Sequence, residues 1–169
     1  MALIVEDGTG LATAESYISV ADANAYFLAR GNTTWGALSD AQCEEALRKA
    51  TDFMLQRYRS LWQGYRLGST QALDWPRVDV EVDGFGVPSD EVHVLVERAC
   101  AELAYRSTVA DLLPDTSSGG QVTREKVDVI EVEYLPGSNP APTYPAIDQL
   151  LAPLLEYAPG SANRPVLRA

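Results

Sequence analysis

The stretch Ser39-Asp40-Ala41-Gln42-Cys43-Glu44-Glu45-Ala46-Leu47-Arg48-Lys49-Ala50-Thr51-Asp52-Phe53-Met54-Leu55-Gln56-Arg57-Tyr58-Arg59 decides the fold class. Its opening is a helix start: the Ser39 oxygen can take an orphan backbone N–H, and a residue three positions on can reach back. Cys43, Ala46, Leu47, Ala50, Phe53, Met54 and Tyr58 recur at 3.6-residue spacing, which predicts a helix to about residue 59. Glu44 with Arg48 and Glu45 with Lys49 are acid-before-base pairs four apart on its wet face. An amphipathic helix this long needs a partner of its own kind. The segment Ser89 to about Val109 supplies one, with Val92, Leu95, Val96, Ala99, Cys100, Leu103 and Ala104 as its apolar stripe. Asp90 and Glu91 suit the positive end of such a helix.

Outward from this pair, Ser19-Val20-Ala21-Asp22 is another capped start, and Gly31 suits a left-handed C-terminal cap, so a helix is expected at about 20–30. Leu3 to Leu11 reads as strand and turn. Residues 60–88 are punctuated by glycine and proline, a connecting excursion. Within it Val78, Val80 and Val82 alternate with Asp79, Glu81 and Asp83, a period-two strand with one wet face. Gln121 to Tyr134 reads as a β-hairpin, and 136–145 is Pro-rich and extended. A last helix opens at Pro145, buries Ile147, Leu150, Leu151 and Leu154, and should kink or end at Pro153. The expected fold is α+β and mostly α: a bundle of three to four helices with a β-hairpin and extended arms. Residues 1–159 form its domain and 160–169 a flexible arm.

Composition agrees with a globular chain, at 46% hydrophobic and 22% charged residues over 169 positions. Thirteen basic and 24 acidic residues leave a charge of −11, which opposes any mechanism built on non-specific attraction to phosphate. The N-terminus lacks the basic and apolar regions of a signal peptide, and no apolar run spans a bilayer, so a soluble intracellular protein is expected. Cys43 and Cys100, both on apolar stripes, are expected to be buried thiols.

Catalytic chemistry finds little support. The single histidine, His93, stands four residues before Glu97, which reads as an exposed helix neighbour rather than a general base. Neither cysteine has a basic neighbour that would make a thiolate, and no Cys/His cluster has zinc spacing. Asp79-x-Glu81-x-Asp83-Gly84 followed by Asp90 imitates a calcium loop. Its approach is strand-patterned rather than helical, so a solvated strand face is the better reading. No enzyme activity, metal or cofactor is expected. One stretch mixes the residue types of a single-strand binder, in which cations track phosphates and aromatics stack bases: Arg57, Arg59, Trp62 and Tyr65, with Arg48, Lys49, Tyr58 and Arg66 around them. Packing of the aromatics and solvation of the cations is the competing account.

Read end to end, the chain resembles the tailed-phage head–tail connector (adaptor) proteins, which include a branch often labelled DnaT-like single-stranded DNA-binding. The resemblance is carried by Val5 to Gly10, Ala14 to Ala23 with Tyr26, Gln71-Ala72-Leu73-Asp74-Trp75-Pro76-Arg77, Ala99 to Leu103, Lys126 to Tyr134 and Tyr144 to Ile147. It spans about residues 3–155. The family implies a structural virion protein at the head–tail junction, assembled in the host cytoplasm into a ring that is usually twelve-fold. Its partners would be the portal protein, further copies of itself and a tail-completion or tail protein. Packaged DNA would pass through without sequence-specific binding, and an acidic lumen would let it slide. Trp75 and Pro76 are then a packing anchor for the excursion. Arg77 is a candidate helix cap or interface residue. Arg164, Pro165, Val166, Leu167 and Arg168 form a candidate portal-docking peptide, two cations flanking apolar anchors. In the competing account the Arg57, Arg59, Trp62 and Tyr65 set binds single-stranded DNA.

Overall fold

The computed structural model describes residues 2–114, 124–127, 130–133 and 143–156. Its contacts divide the chain into two units, Met1–Leu112 with Pro145–Ala169, and Leu113–Tyr144. Among the described residues the first unit holds five helices: α1 (Val20–Leu28), α2 (Thr33–Gly36), α3 (Asp40–Tyr58), α4 (Val94–Ser107) and α5 (Pro145–Leu151), the last continued by a 3-10 turn at Ala152–Leu154. Its described residues also form four two-residue strands: β1 (Tyr65–Arg66), β2 (Arg77–Val78), β3 (Glu81–Val82) and β4 (Phe85–Gly86). β1 pairs with β2 and β3 with β4, both antiparallel. In the second unit β5 (Arg124–Val127) pairs antiparallel with β6 (Ile130–Glu133), the hairpin that the alternation of Ile130, Val132 and Tyr134 predicts. The fold is α+β and mostly α.

The starts follow the capping chemistry. Ser19 Oγ accepts from the Asp22 N–H at 3.1 Å, while Ser39 and Gln42 form a reciprocal capping box. The apolar stripe of α3 is buried as its spacing predicts. α3 and α4 run antiparallel: Thr51 Oγ1 meets Cys100 Sγ at 3.5 Å, and Ser107 Oγ reaches the Ala46 carbonyl at 3.5 Å. α1 and α5 close on this pair, and Pro153 stands in the 3-10 turn that ends α5. Both cysteines are buried and free, and burial raises both thiols above their ordinary pKa.

Three expectations are corrected. α4 begins at Val94, not near Ser89, and its N-cap is His93, whose Nδ1 accepts from the Leu95 N–H at 3.2 Å. The reason is a crossing. Gly8, at φ +96°, lies so close to the Asp90 carbonyl that a Cβ there would stand 2.0 Å from the oxygen, so residues 90–91 are held against the N-terminal turn. Asp90 and Glu91 therefore precede the first turn of α4. The Val78–Val82 run is not one strand either: Asp79 turns left-handed at φ 57°, and the ladder passes from β1–β2 to β3–β4. Finally α2 lies where no helix was expected, capped by Asn32 Oδ1 accepting from the Trp35 N–H at 3.1 Å. Four residues are too few to show a periodicity.

Candidate functional site

The basic–aromatic stretch is built by the end of α3 and the chain leaving it. Arg48 donates to Glu15 at 3.0 Å and to Glu44 at 3.4 Å, and it holds the Glu15 carboxyl below its ordinary pKa. Arg57 pairs with Asp148 of α5 at 3.5 Å, and the Tyr58 hydroxyl donates to the same carboxylate at 2.6 Å. Trp62 is 4% exposed, edge-on to Trp75 with centroids 5.7 Å apart and 5.8 Å from Tyr58. Of the four residues proposed to meet a nucleic acid, only Tyr65 and Arg59 present much surface. Tyr65 is 71% exposed, and the half-exposed Arg59 side chain leans on Asp74 at 3.3 Å. The sequence placed these residues in one stretch, but the fold turns Trp62 inward as a core aromatic. Base stacking needs an exposed ring face, so Trp62 is removed from that role.

The Gln71 to Arg77 segment is folded around buried polar groups. Trp75 is fully buried and its bond to Pro76 is cis. Gln71 donates to the Leu73 and Pro76 carbonyls and accepts from the Gly68 N–H. Arg77, only 7% exposed, donates to the carbonyls of Gln63 at 2.6 Å, Asp74 at 3.2 Å and Gly64 at 2.7 Å. All three partners lie in the same excursion. Arg77 is therefore a clamp inside the subunit, which corrects its assignment to a portal or subunit interface. The contact between Asp74 and Tyr17 escaped the sequence reading, because this bond, from the Asp74 N–H to Tyr17 Oη at 3.1 Å, joins residues far apart in the chain.

Burial pushes the Asp74 carboxyl above its ordinary pKa, against the pull of Arg59, Arg77, the Trp62 N–H and Arg66. Native Asp74 thus holds its proton more tightly than the unfolded chain. Its contribution to stability is full below the unfolded value of 3.8 and is lost as pH rises through the higher native value. Asp74→Asn should abolish this component, so the variant gains stability relative to the parent as pH rises above about 4. Urea unfolding of both proteins across that range measures it, and a difference independent of pH would refute the assignment.

The calcium-like spacing folds as the β3–β4 hairpin, with Asp83 and Gly84 both left-handed at its turn. Among the described residues no group of three or more His, Cys, Asp or Glu side chains is placed to hold a metal ion. His93 is half-buried, its ring 6.2 Å from Trp75, and desolvation lowers its pKa. Arg164, Pro165, Val166, Leu167 and Arg168 lie outside the described residues. Two surface features were not foreseen. One is a groove of about 480 Å³ between α1 and α2, lined by Phe27, Leu28, Trp35 and Leu38 among others. The other is Phe85, 77% exposed on β4. No helix among the described residues is long and apolar enough to cross a membrane.

Over residues 1–169 the chain matches the family model described as "Putative DnaT-like ssDNA binding protein". No curated protein matches, and no solved structure does.

Proposed function

From the premise that this chain belongs to the DnaT-like ssDNA-binding protein family, we propose that it acts as a non-catalytic assembly subunit whose described surface docks protein rather than nucleic acid. Within that reading its place is the head–tail junction of a tailed phage, as an adaptor ring on the portal. The observation that carries the proposal is the inward commitment of the basic–aromatic stretch. Arg48, Arg57 and Arg59 each face a carboxylate of the same subunit, and Trp62 is in the core. A net charge of −11 adds a field that repels phosphate. The step from assembly subunit to head–tail adaptor rests on the sequence resemblance alone.

The family description favours the second reading, a single-stranded DNA-binding protein, and speaks for the adaptor not at all. That reading has exposed Tyr65 and half-exposed Arg59 to offer among the described residues. Two measurements separate them. In titrations of single-stranded DNA at graded salt, the DNA-binding reading expects weaker binding and a shallower salt slope for Arg57→Ala with Arg59→Ala. The docking reading expects no salt-dependent binding for either protein. Quantitative mass spectrometry of gradient-purified phage particles tests the adaptor. A ratio to the portal protein near one to one supports it. Absence from particles, with the chain abundant in the lysate, overturns it.

A further inference from the structure

We propose that His93 is a proton-operated cap on α4. Neutral, its ring closes the first turn of the helix; protonated, it releases the Leu95 N–H and turns to a carboxylate of the adjoining groove. The device goes beyond the assembly reading and operates whichever partner the chain has.

The cap requires one protonation state. His93 Nδ1 accepts from the Leu95 N–H at 3.2 Å, which an imidazole does only while that nitrogen carries no proton. The His93 carbonyl accepts from the N–H groups of Val96 and Glu97, at 2.8 and 3.3 Å, so one residue ties down the first turn through both side chain and backbone. A protonated ring has two donors and no acceptor. It also sets a positive charge at the positive end of the helix. Both effects drive it out of the cap.

The protonated ring has a place to go. A groove of about 500 Å³ is lined by His93 itself with Glu6, Asp7, Glu91 and Glu97. Two of these carboxylates are engaged in the N-terminal turn: Glu6 accepts from the N–H groups of Gly8, Gly10 and Leu11, and Asp7 from Thr9. Glu91, exposed and two residues before the ring, is the carboxylate whose charge favours the imidazolium. Glu97 is half-buried; burial and the charges of Asp22 and Glu91 raise its carboxyl pKa, against the pull of Arg98. From the excursion the uncharged Trp75 ring stands 6.2 Å from the imidazole, while Asp74 pairs with Arg59.

Burial sets the sign. Desolvation lowers the His93 pKa from its ordinary 6.5, and Glu91 offsets only part of this. The neutral ring's contribution to stability is therefore full above pH 6.5 and is lost as pH falls through the lower native value. Glu97 contributes in the opposite sense, gaining as pH falls. What opens in acid is the joint between α4 and the segment that crosses the turn at Gly8, because His93 stands between Asp90–Glu91 and the first helical residue, Val94.

The test reads the one histidine of the full-length chain. In an NMR titration between about pH 8 and pH 4, the ring should protonate with a midpoint below 6.5. The Leu95 amide should move at the same midpoint, and its protection from hydrogen exchange should fall about fivefold. In His93→Asn, whose side chain caps without titrating, that amide should stay protected throughout. Glu91→Gln, at an exposed position, should lower the ring's midpoint further, since it removes the carboxylate that favours the charged ring. A ring that titrates without moving the Leu95 amide would overturn the proposal, as would a midpoint at or above 6.5. The same Leu95 step in His93→Asn would make another group the proton acceptor and overturn it too. A midpoint unmoved by Glu91→Gln would remove the acid-state partner and with it the second position of the switch.

Discussion

Arg77→Ala should lower the free energy of unfolding by about 3–5 kcal/mol, the cost of removing one partner from a buried charge arrangement. The guanidinium satisfies the carbonyls of Gln63, Gly64 and Asp74, and it also helps to offset the buried Asp74 carboxylate. Alanine leaves three acceptors and one charge without that help. For a chain of this size the loss corresponds to a fall in Tm of roughly 6–20 °C. Arg77→Lys should recover only part of it, since an ammonium cannot span three carbonyls in the plane that a guanidinium fork does. Arg59→Ala is the control. That side chain is 56% exposed, and its pairing with Asp74 should be worth about 1 kcal/mol or less. Thermal and urea melts of the three variants decide the matter. An Arg77→Ala protein as stable as the Arg59→Ala one would remove the clamp.

Gly64→Ala should be as damaging for a different reason. Gly64 adopts φ +60°, and a Cβ built on it would stand 2.0 Å from the Val78 carbonyl oxygen and 2.8 Å from that of Asp79. Both obstacles are backbone, Val78 in the strand that pairs with Tyr65 and Asp79 directly after it, so no side chain can rotate away. The β1–β2 bridge must shift, and with it the carbonyl that Arg77 Nη2 uses. The expected cost is about 3 kcal/mol or more, the sum of a left-handed alanine and a displaced strand. Gly84→Ala isolates the first part. Its φ is +84° but nothing lies within 4 Å of its Cβ position, so it should cost only about 1–2 kcal/mol. Parallel melts of the two variants test the crossing, and equal losses would show that only the left-handed backbone matters.

Much of the helical frame was legible because its causes are local. Ser19 and Ser39 cap helices where their spacing says they should, and the α3 stripe is buried residue for residue. Pro145 opens the last helix, and Pro153 stands in the 3-10 turn that ends it. Where local signals misled, a crossing segment intervened. The start of α4 moved to His93 because the turn at Gly8 occupies the space beside Asp90, and the valine alternation broke where Asp79 turned left-handed. The groove at α2 and the exposure of Phe85 left no periodic trace.

The sequence by itself determined α1, α3, the body of α4, the last helix and the second-unit hairpin, because each follows from residues a few positions apart. Only the tertiary structure decided what the arginines and tryptophans of residues 57–77 do. The partner of Arg57 is Asp148, 91 residues away, Trp62 meets Leu155 and Trp75, and Arg77 binds carbonyls that any residue type could supply. A cation-rich aromatic stretch reads the same whether it faces a polynucleotide or its own core. The difference lies in where distant carboxylates and backbone oxygens come to rest, and that is set by packing.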